Sequence, residues 1–194
     1  MNTKRYLTGA LVASLVLNIV LIYKTTYIKE VAVVPSSPST ETPASTTSEH
    51  VSGTTYPFIR VVDGDTVVVG VEGKSEYVRL IGIDSPEPND PDGPECYATE
   101  ATEHIKDLAR TGTVVLHFDP TQGYRDTYGR LLAYIGLPDG TDLGLAMVRD
   151  GYAREYTYNQ PYERQTTYKE AEEQATTNKS GLWAEGACAT NMNQ

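Results

Sequence analysis

Val78-Arg79-Leu80-Ile81-Gly82-Ile83-Asp84-Ser85-Pro86-Glu87 is the stretch on which the reading of this chain turns. It starts as an alternating apolar strand and ends in two carboxylates around a proline. Pro86 fixes its own φ and drives Ser85 towards an extended conformation, so Asp84 and Glu87 hang on stiff backbone. An acidic segment, Asp63-Gly64-Asp65-Thr66, lies upstream, and an isolated arginine lies downstream in Asp126-Thr127-Tyr128-Gly129-Arg130. Read as one site, the three pieces supply carboxylate oxygens for a hard cation, two guanidinium forks for a phosphate, and a glutamate to manage a water.

Outward from that stretch, strand signals dominate. Apolar, β-branched runs at 58–62, 66–71 and 76–83 are separated by Asp-Gly and Glu-Gly turns. Residues 98–110 predict a helix with Ala98, Ala101, Ile105, Leu108 and Ala109 on one face. Strands at 113–118 and 131–137 flank a polar loop at 119–128. A short helix at 143–150 ends at Gly151, and a last helix at 162–176 carries Tyr168, Ala171 and Ala175 as its inner stripe. The order βββ-α-ββ-α-α predicts an α+β fold, a small closed five-stranded barrel of the oligonucleotide-binding (OB-fold) type with three helices. One geometric condition follows. Strict alternation puts Arg79 and Asp84 on opposite strand faces, so a bulge or sharp turn must intervene, and Gly82 is the place for it.

The segments Asp63-Gly64-Asp65-Thr66, Arg79-Leu80-Ile81-Gly82-Ile83-Asp84-Ser85-Pro86-Glu87 and Tyr128-Gly129-Arg130 resemble, in order, the three signature segments of the staphylococcal nuclease (thermonuclease) family. The likeness runs from about residue 58 to residue 183. It implies the same barrel fold, calcium (Ca2+) as cofactor, and hydrolysis of DNA and RNA to 3′-phosphate products. In these terms Asp65, Asp84 and the Ser85 carbonyl are the expected metal ligands, with Asp63 behind them or in a turn. Arg79, Arg130 and Glu87 are the expected catalytic groups, the arginines on the phosphate and Glu87 as general base. Tyr128, Tyr156 and Tyr158 match positions that flank the family's nucleotide pocket, where rings stack on bases of unpaired strands. The three tyrosines match more loosely than the charged residues, because the chain near 158–164 is one residue shorter than the family pattern.

Charge sets a boundary on this reading. The chain of 194 residues carries a net charge of -10, and all of the excess lies after residue 55, where 23 acids face 12 bases. Affinity for nucleic acid comes largely from neutralising phosphates, so binding here must be local and helped by divalent cations. The rest of the sequence concerns placement. Residues 6–23 form an apolar run behind Lys4 and Arg5, long enough at roughly 27 Å of helix to reach across hydrocarbon. Residues 1–34 therefore read as a membrane anchor, with a cleaved secretory signal as the alternative. The stretch 35–55 is a Ser/Thr/Pro-rich linker, too poor in apolar residues to order itself. The domain is expected at 56–186, outside the cytoplasm, with a tail at 187–194. Cys96 and Cys188 form no CxxC, and outside the cell a disulfide between them is expected rather than free thiols.

Each motif has a plainer reading. Asp63-Gly64-Asp65 alone is a hairpin turn, and either arginine alone is a structural salt bridge. A non-catalytic barrel that binds nucleic acid or protein is the alternative function, and a tyrosine-rich adhesin with structural calcium is another. His50, His104 and His117 share no ligand spacing, and no obligate protein partner is inferred. Of the 14 tyrosines, most of those other than Tyr128, Tyr156 and Tyr158 are expected half-buried on the barrel exterior.

Overall fold

The computed structural model describes residues 52–188. Val67, Val69, Val78, Leu80, Leu116 and Ile135 point into one apolar interior, and the strands that carry them close around it. Strands β1 (Thr54–Val61), β2 (Thr66–Val71) and β3 (Lys74–Leu80) form an antiparallel meander. A two-residue strand β4 (Ile83–Asp84) and helix α1 (Ala98–Leu108) follow. Strands β5 (Thr113–His117) and β6 (Leu131–Gly136) complete a closed barrel in the order β1-β2-β3-β6-β5. Helix α2 (Leu143–Arg149), strand β7 (Arg154–Glu155), helix α3 (Gln165–Thr177) and a 3-10 turn (Gly181–Trp183) end the fold. This is the expected five-stranded OB-fold barrel with three helices. Fully burying one such valine or leucine contributes about 1.5–3 kcal/mol, and truncating Leu80 or Ile135 to alanine costs roughly 2–5 kcal/mol.

Three features depart from the expected outline. Strand β1 begins at Thr54, inside the stretch read as linker. Its first half pairs with β5, Thr54 opposite Leu116 and Pro57 opposite Thr113. A bulge between Phe58 and Arg60 then turns the strand onto β2. Threonines serve a strand as readily as a spacer, so composition concealed the start. The second departure is the small sheet of β4 with β7, which lies apart from the barrel. The third concerns tyrosines: Tyr134, Tyr162 and Tyr168 are buried, packed edge to face or tilted, and each hydroxyl has a partner. The half-buried exterior expected of most tyrosines is wrong for Tyr134 and Tyr162, because a carboxylate or carbonyl inside satisfies each hydroxyl, while Tyr168 lies on the inner stripe where the helical period puts it.

Residues 6–23 and nearly all of 35–55 lie outside the described residues, as does 189–194. Among the described residues no helix is long and apolar enough to cross a membrane. Cys96 and Cys188 are joined in a disulfide, with Cα atoms 5.7 Å apart.

Candidate functional site

Barrel register brings the three sequence segments together. In β2–β3 pairing Thr66 lies opposite Arg79, and the Leu80 N–H donates to the Asp65 carbonyl at 2.9 Å. In the parallel β3–β6 pair Arg79 lies beside Leu132, two residues past Arg130. One end of the barrel therefore carries the start of β2, the end of β3 and the entry to β6.

The parity problem is solved at Gly82. Strand β3 stops at Leu80, Gly82 turns the chain with φ +82, and β4 continues as part of the other sheet. No other residue fits. A Cβ on Gly82 would lie 2.5 Å from the Tyr162 ring, and the Tyr162 hydroxyl donates to the Gly82 carbonyl at 3.1 Å. The corner swings Asp84 back to Arg79.

Arg79 is bound on every side it offers to protein. Its Nη1 donates to the carbonyls of Leu80 (2.9 Å) and Ile83 (2.7 Å). Its Nη2 lies 3.1 Å from both Asp65 Oδ2 and Asp84 Oδ1. Asp65 is fully buried and accepts from the Ser85 N–H at 3.0 Å and the Thr66 hydroxyl at 3.0 Å. The Asp65 N–H in turn donates to Asp63 Oδ1 at 3.1 Å. Gly64 permits this packing, since a Cβ there would lie 2.6 Å from Ser85 Oγ. That Oγ is buried and without a hydrogen-bond partner in the structure.

Ligand oxygens of Asp63, Asp65 and Glu87 lie within 4.8 Å of one another. The expected pairing was Asp65 with Asp84, and the grouping differs. Arg79 stands between Asp65 and Asp84, while Asp63, expected behind the ligands, belongs to the tight trio. Burial and mutual repulsion both disfavour the ionised forms. Burial first, and then the Asp65 charge, raise the Asp63 carboxyl. Burial also raises Asp84, against the pull of Arg79. Glu87 is pushed up to about 7, by burial first and then by Asp63 and Asp65. Such a trio fits a hard divalent cation, because carboxylates forced together without a positive charge are costly. Asp63, Asp65 and Glu87 are the residues that could hold such an ion.

Arg130 is positioned by a residue the sequence reading passed over. Asp126 Oδ1 accepts the N–H groups of Tyr128 and Arg130, both at 2.9 Å, and its Oδ2 accepts Arg130 Nε–H at 2.6 Å. Gly129, at φ +82, lets the loop close on itself. The signal was present: an aspartate two residues ahead of the N–H it caps, followed by glycine, is a turn signature. The guanidinium also stands 5.4 Å from the Tyr128 ring centroid and reaches Thr66 Oγ1 at 3.4 Å.

A groove of about 560 Å³ runs past both arginines, lined by Arg79, Asp84, Arg125, Asp126, Tyr128 and Arg130 together with Tyr156, Tyr158 and Gln160. Tyr128 and Tyr158 are well exposed, and Tyr156 and Tyr158 rings are 6.4 Å apart. Of the histidines, His104 bonds Asp150 at 3.0 Å and stacks on Tyr152, which ties α1 to the end of α2. His50 lies outside the described residues, and His117 sits in β5.

The arrangement has relatives. Residues 77–185 match the family model of staphylococcal nuclease homologues. Thermonuclease of Staphylococcus hyicus is 33% identical over 132 residues, 67% of this chain and 76% of that protein. Thermonuclease of Staphylococcus intermedius is 36% identical over 117 residues, 60% of this chain and 68% of its own length. Endonuclease YncB of Bacillus subtilis (strain 168) is 32% identical over 134 residues, 68% of this chain and 63% of that protein. The family match starts beyond Asp63 and Asp65, and it is the β2–β3 pairing that delivers those acids to the matched part. With the barrel, the corner at Gly82 and this extent of likeness in hand, the chain belongs to the staphylococcal nuclease family.

Proposed function

We propose that the chain is a calcium-dependent phosphodiesterase that hydrolyses DNA and RNA to 3′-phosphate products, held outside the cytoplasm by its N-terminal apolar run. One observation carries the reading: Arg79 and Arg130 line the same groove, and Arg79 touches a member of a crowded carboxylate trio. Arg79 and Arg130 are fixed by their own carboxylate partners, so little order is lost when a phosphate arrives. The Arg130 donors that Asp126 leaves free, and the Arg79 Nη2 donors once a cation takes over Asp65 and Asp84, meet the phosphate oxygens and strengthen as charge builds on a five-coordinate phosphorus. Glu87 takes a proton from the attacking water. The water oxygen bonds to phosphorus, the P–O5′ bond breaks, and the 5′ oxygen leaves with its electron pair to be protonated as the alcohol. Calcium, when bound, supplies positive charge against that developing charge. Asp63, Asp65 and Glu87 would hold it, with Asp84 and the Ser85 carbonyl as the further oxygens the family pattern implies. Tyr128, Tyr156 and Tyr158 stack on bases, which favours unpaired strands of any sequence.

A second reading rests on the pairing of both arginines with acids. If those ion pairs never open, the domain is a binding module without catalysis. Digestion of single-stranded DNA by residues 52–194, with calcium, with magnesium and with EDTA, decides between the two. Cleavage to 3′-phosphate ends with calcium, abolished by EDTA, supports the first. Saturable binding with intact DNA at millimolar calcium supports the second.

A further inference from the structure

The segment that presents Glu87 is a strap fastened at two points. It leaves the site at Pro86, runs through Pro88, Pro91 and Pro94, and enters α1 at Ala98. At the first fastening the Glu87 N–H donates to Glu95 Oε2 at 2.8 Å, and the Glu95 N–H donates to the Glu87 carbonyl at 2.9 Å. Both main-chain groups of Glu87 are thus held by one residue across the strap. Between them the strap bonds to itself, with Gly93 N–H on the Asp90 carbonyl and Asp92 N–H on Asp90 Oδ1, each at 2.9 Å.

The second fastening is covalent. Cys96, next to Glu95, is bonded to Cys188. The segment carrying Cys188 is itself docked. The Leu182 N–H donates to the Gly151 carbonyl at 2.8 Å, and a Cβ on Gly151 would lie 2.3 Å from the Ser180 carbonyl. Trp183 lies under the Arg154 guanidinium at 4.7 Å, and Arg154 is the β7 residue opposite Asp84. The path from Glu87 through Glu95, Cys96, Cys188 and β7 therefore returns to the site. Glu95 adds a negative charge near an acidic cluster, which is unfavourable unless its oxygen is needed where it is. A charge-assisted bond from the Glu87 N–H is what that position yields.

We propose that Glu95 and the Cys96–Cys188 disulfide together position Glu87 for the reaction, so that catalysis requires the strap to be fastened at both ends. The inference rests on the role of Glu87 given above. It is tested on the full chain with saturating calcium and single-stranded DNA, using Glu95→Ala, Glu95→Gln and the double variant Cys96→Ser with Cys188→Ser. Glu95→Ala is expected to lower kcat by about 10–100-fold with KM held within about twofold, the signature of a misplaced group rather than lost binding. Glu95→Gln keeps an acceptor for the Glu87 N–H and should recover kcat to within about threefold of the parent. The double serine variant should lose about tenfold in kcat, with faster amide exchange over residues 86–96 and unchanged exchange in β2 and β3. Should the double variant fail to fold, Glu95→Ala, with its disulfide intact, decides the matter. A parent that cleaves and a Glu95→Ala variant that cleaves equally fast overturn the inference, as does a Glu95→Gln variant no better than alanine. Absence of cleavage by the parent itself overturns the proposed function instead.

Discussion

Two groups of buried carboxylates in this molecule have opposite surroundings. Asp119, 1% exposed, receives the Tyr134 hydroxyl at 2.7 Å, the Glu163 N–H at 2.8 Å, and the N–H and hydroxyl of Thr121 at 2.9 and 2.7 Å. Burial alone would raise its pKa, but the Glu163 N–H, the Tyr134 hydroxyl and Thr121 outweigh it and hold the group below the usual carboxylate range. Asp63 and Glu87 are also withdrawn from water, yet they face other carboxylates, and both are raised. A carboxylate surrounded by donors lowers the energy of the fold; carboxylates turned on each other store energy that a cation or a proton can release.

The comparison breaks first on activity. Glu87→Gln, Arg79→Ala and Arg130→Ala should each lower kcat/KM by about 10²–10⁵-fold, read as release of acid-soluble nucleotides. Without calcium, Glu87→Gln should unfold at a temperature no lower than the parent, since it removes one charge from a repelling group. Asp119→Ala has the reverse profile. It strands several buried donors and should cost about 3 kcal/mol in urea unfolding, with kcat little changed below the transition. Equal activity in all three site variants, or an Asp119→Ala variant as stable as the parent, would erase the distinction.

The corner at Gly82 gives the next effect in size. Its φ of +82 and its contact with the Tyr162 ring leave no room for a methyl group. Gly82→Ala is expected to cost about 2 kcal/mol or more in stability. It should also lower kcat, because the corner sets Asp84 against Arg79. A variant that loses stability alone would detach the corner from the site.

How much of this was legible depends on range. The barrel strands and the buried stripe Tyr168, Ala171 and Ala175 follow from periods of 2 and 3.6, which local sequence carries. The need for a turn at Gly82 followed from parity alone. Strands β4 and β7 were not legible, because two residues have no period. Nor was the trio. Alternation says which face a side chain takes, but whether Asp63 or Asp84 stands nearer Glu87 depends on where Arg79 inserts between strands. Asp119 shares that cause, since Tyr134 and the Glu163 N–H are brought to it by a fold that is not local, whereas Asp126 takes its donors from Tyr128 and Arg130 in its own turn and was legible there. Acids in the sequence announced themselves equally; their partners separated them.

Proton linkage gives the smallest effect and the sharpest version of the contrast. Glu87 is raised from 4.5 to about 7, so without calcium the folded chain binds that proton more tightly than the unfolded one. Its contribution to stability is full below about pH 4.5 and is lost as pH rises through about 7. Asp119, being lowered, contributes with the opposite sign, and its share is lost only in acid. A calcium ion bound as proposed would need the Glu87 carboxylate ionised. Its apparent affinity should therefore rise by up to roughly tenfold per pH unit below about 7 and level off above, with release of a proton seen as a buffer-dependent heat of binding. Glu87→Gln should flatten that slope and Asp119→Ala should leave it alone. Calcium affinity independent of pH across this window in the parent would mean that the raised carboxylate is no part of the ion's site, and the trio would then be a crowded turn.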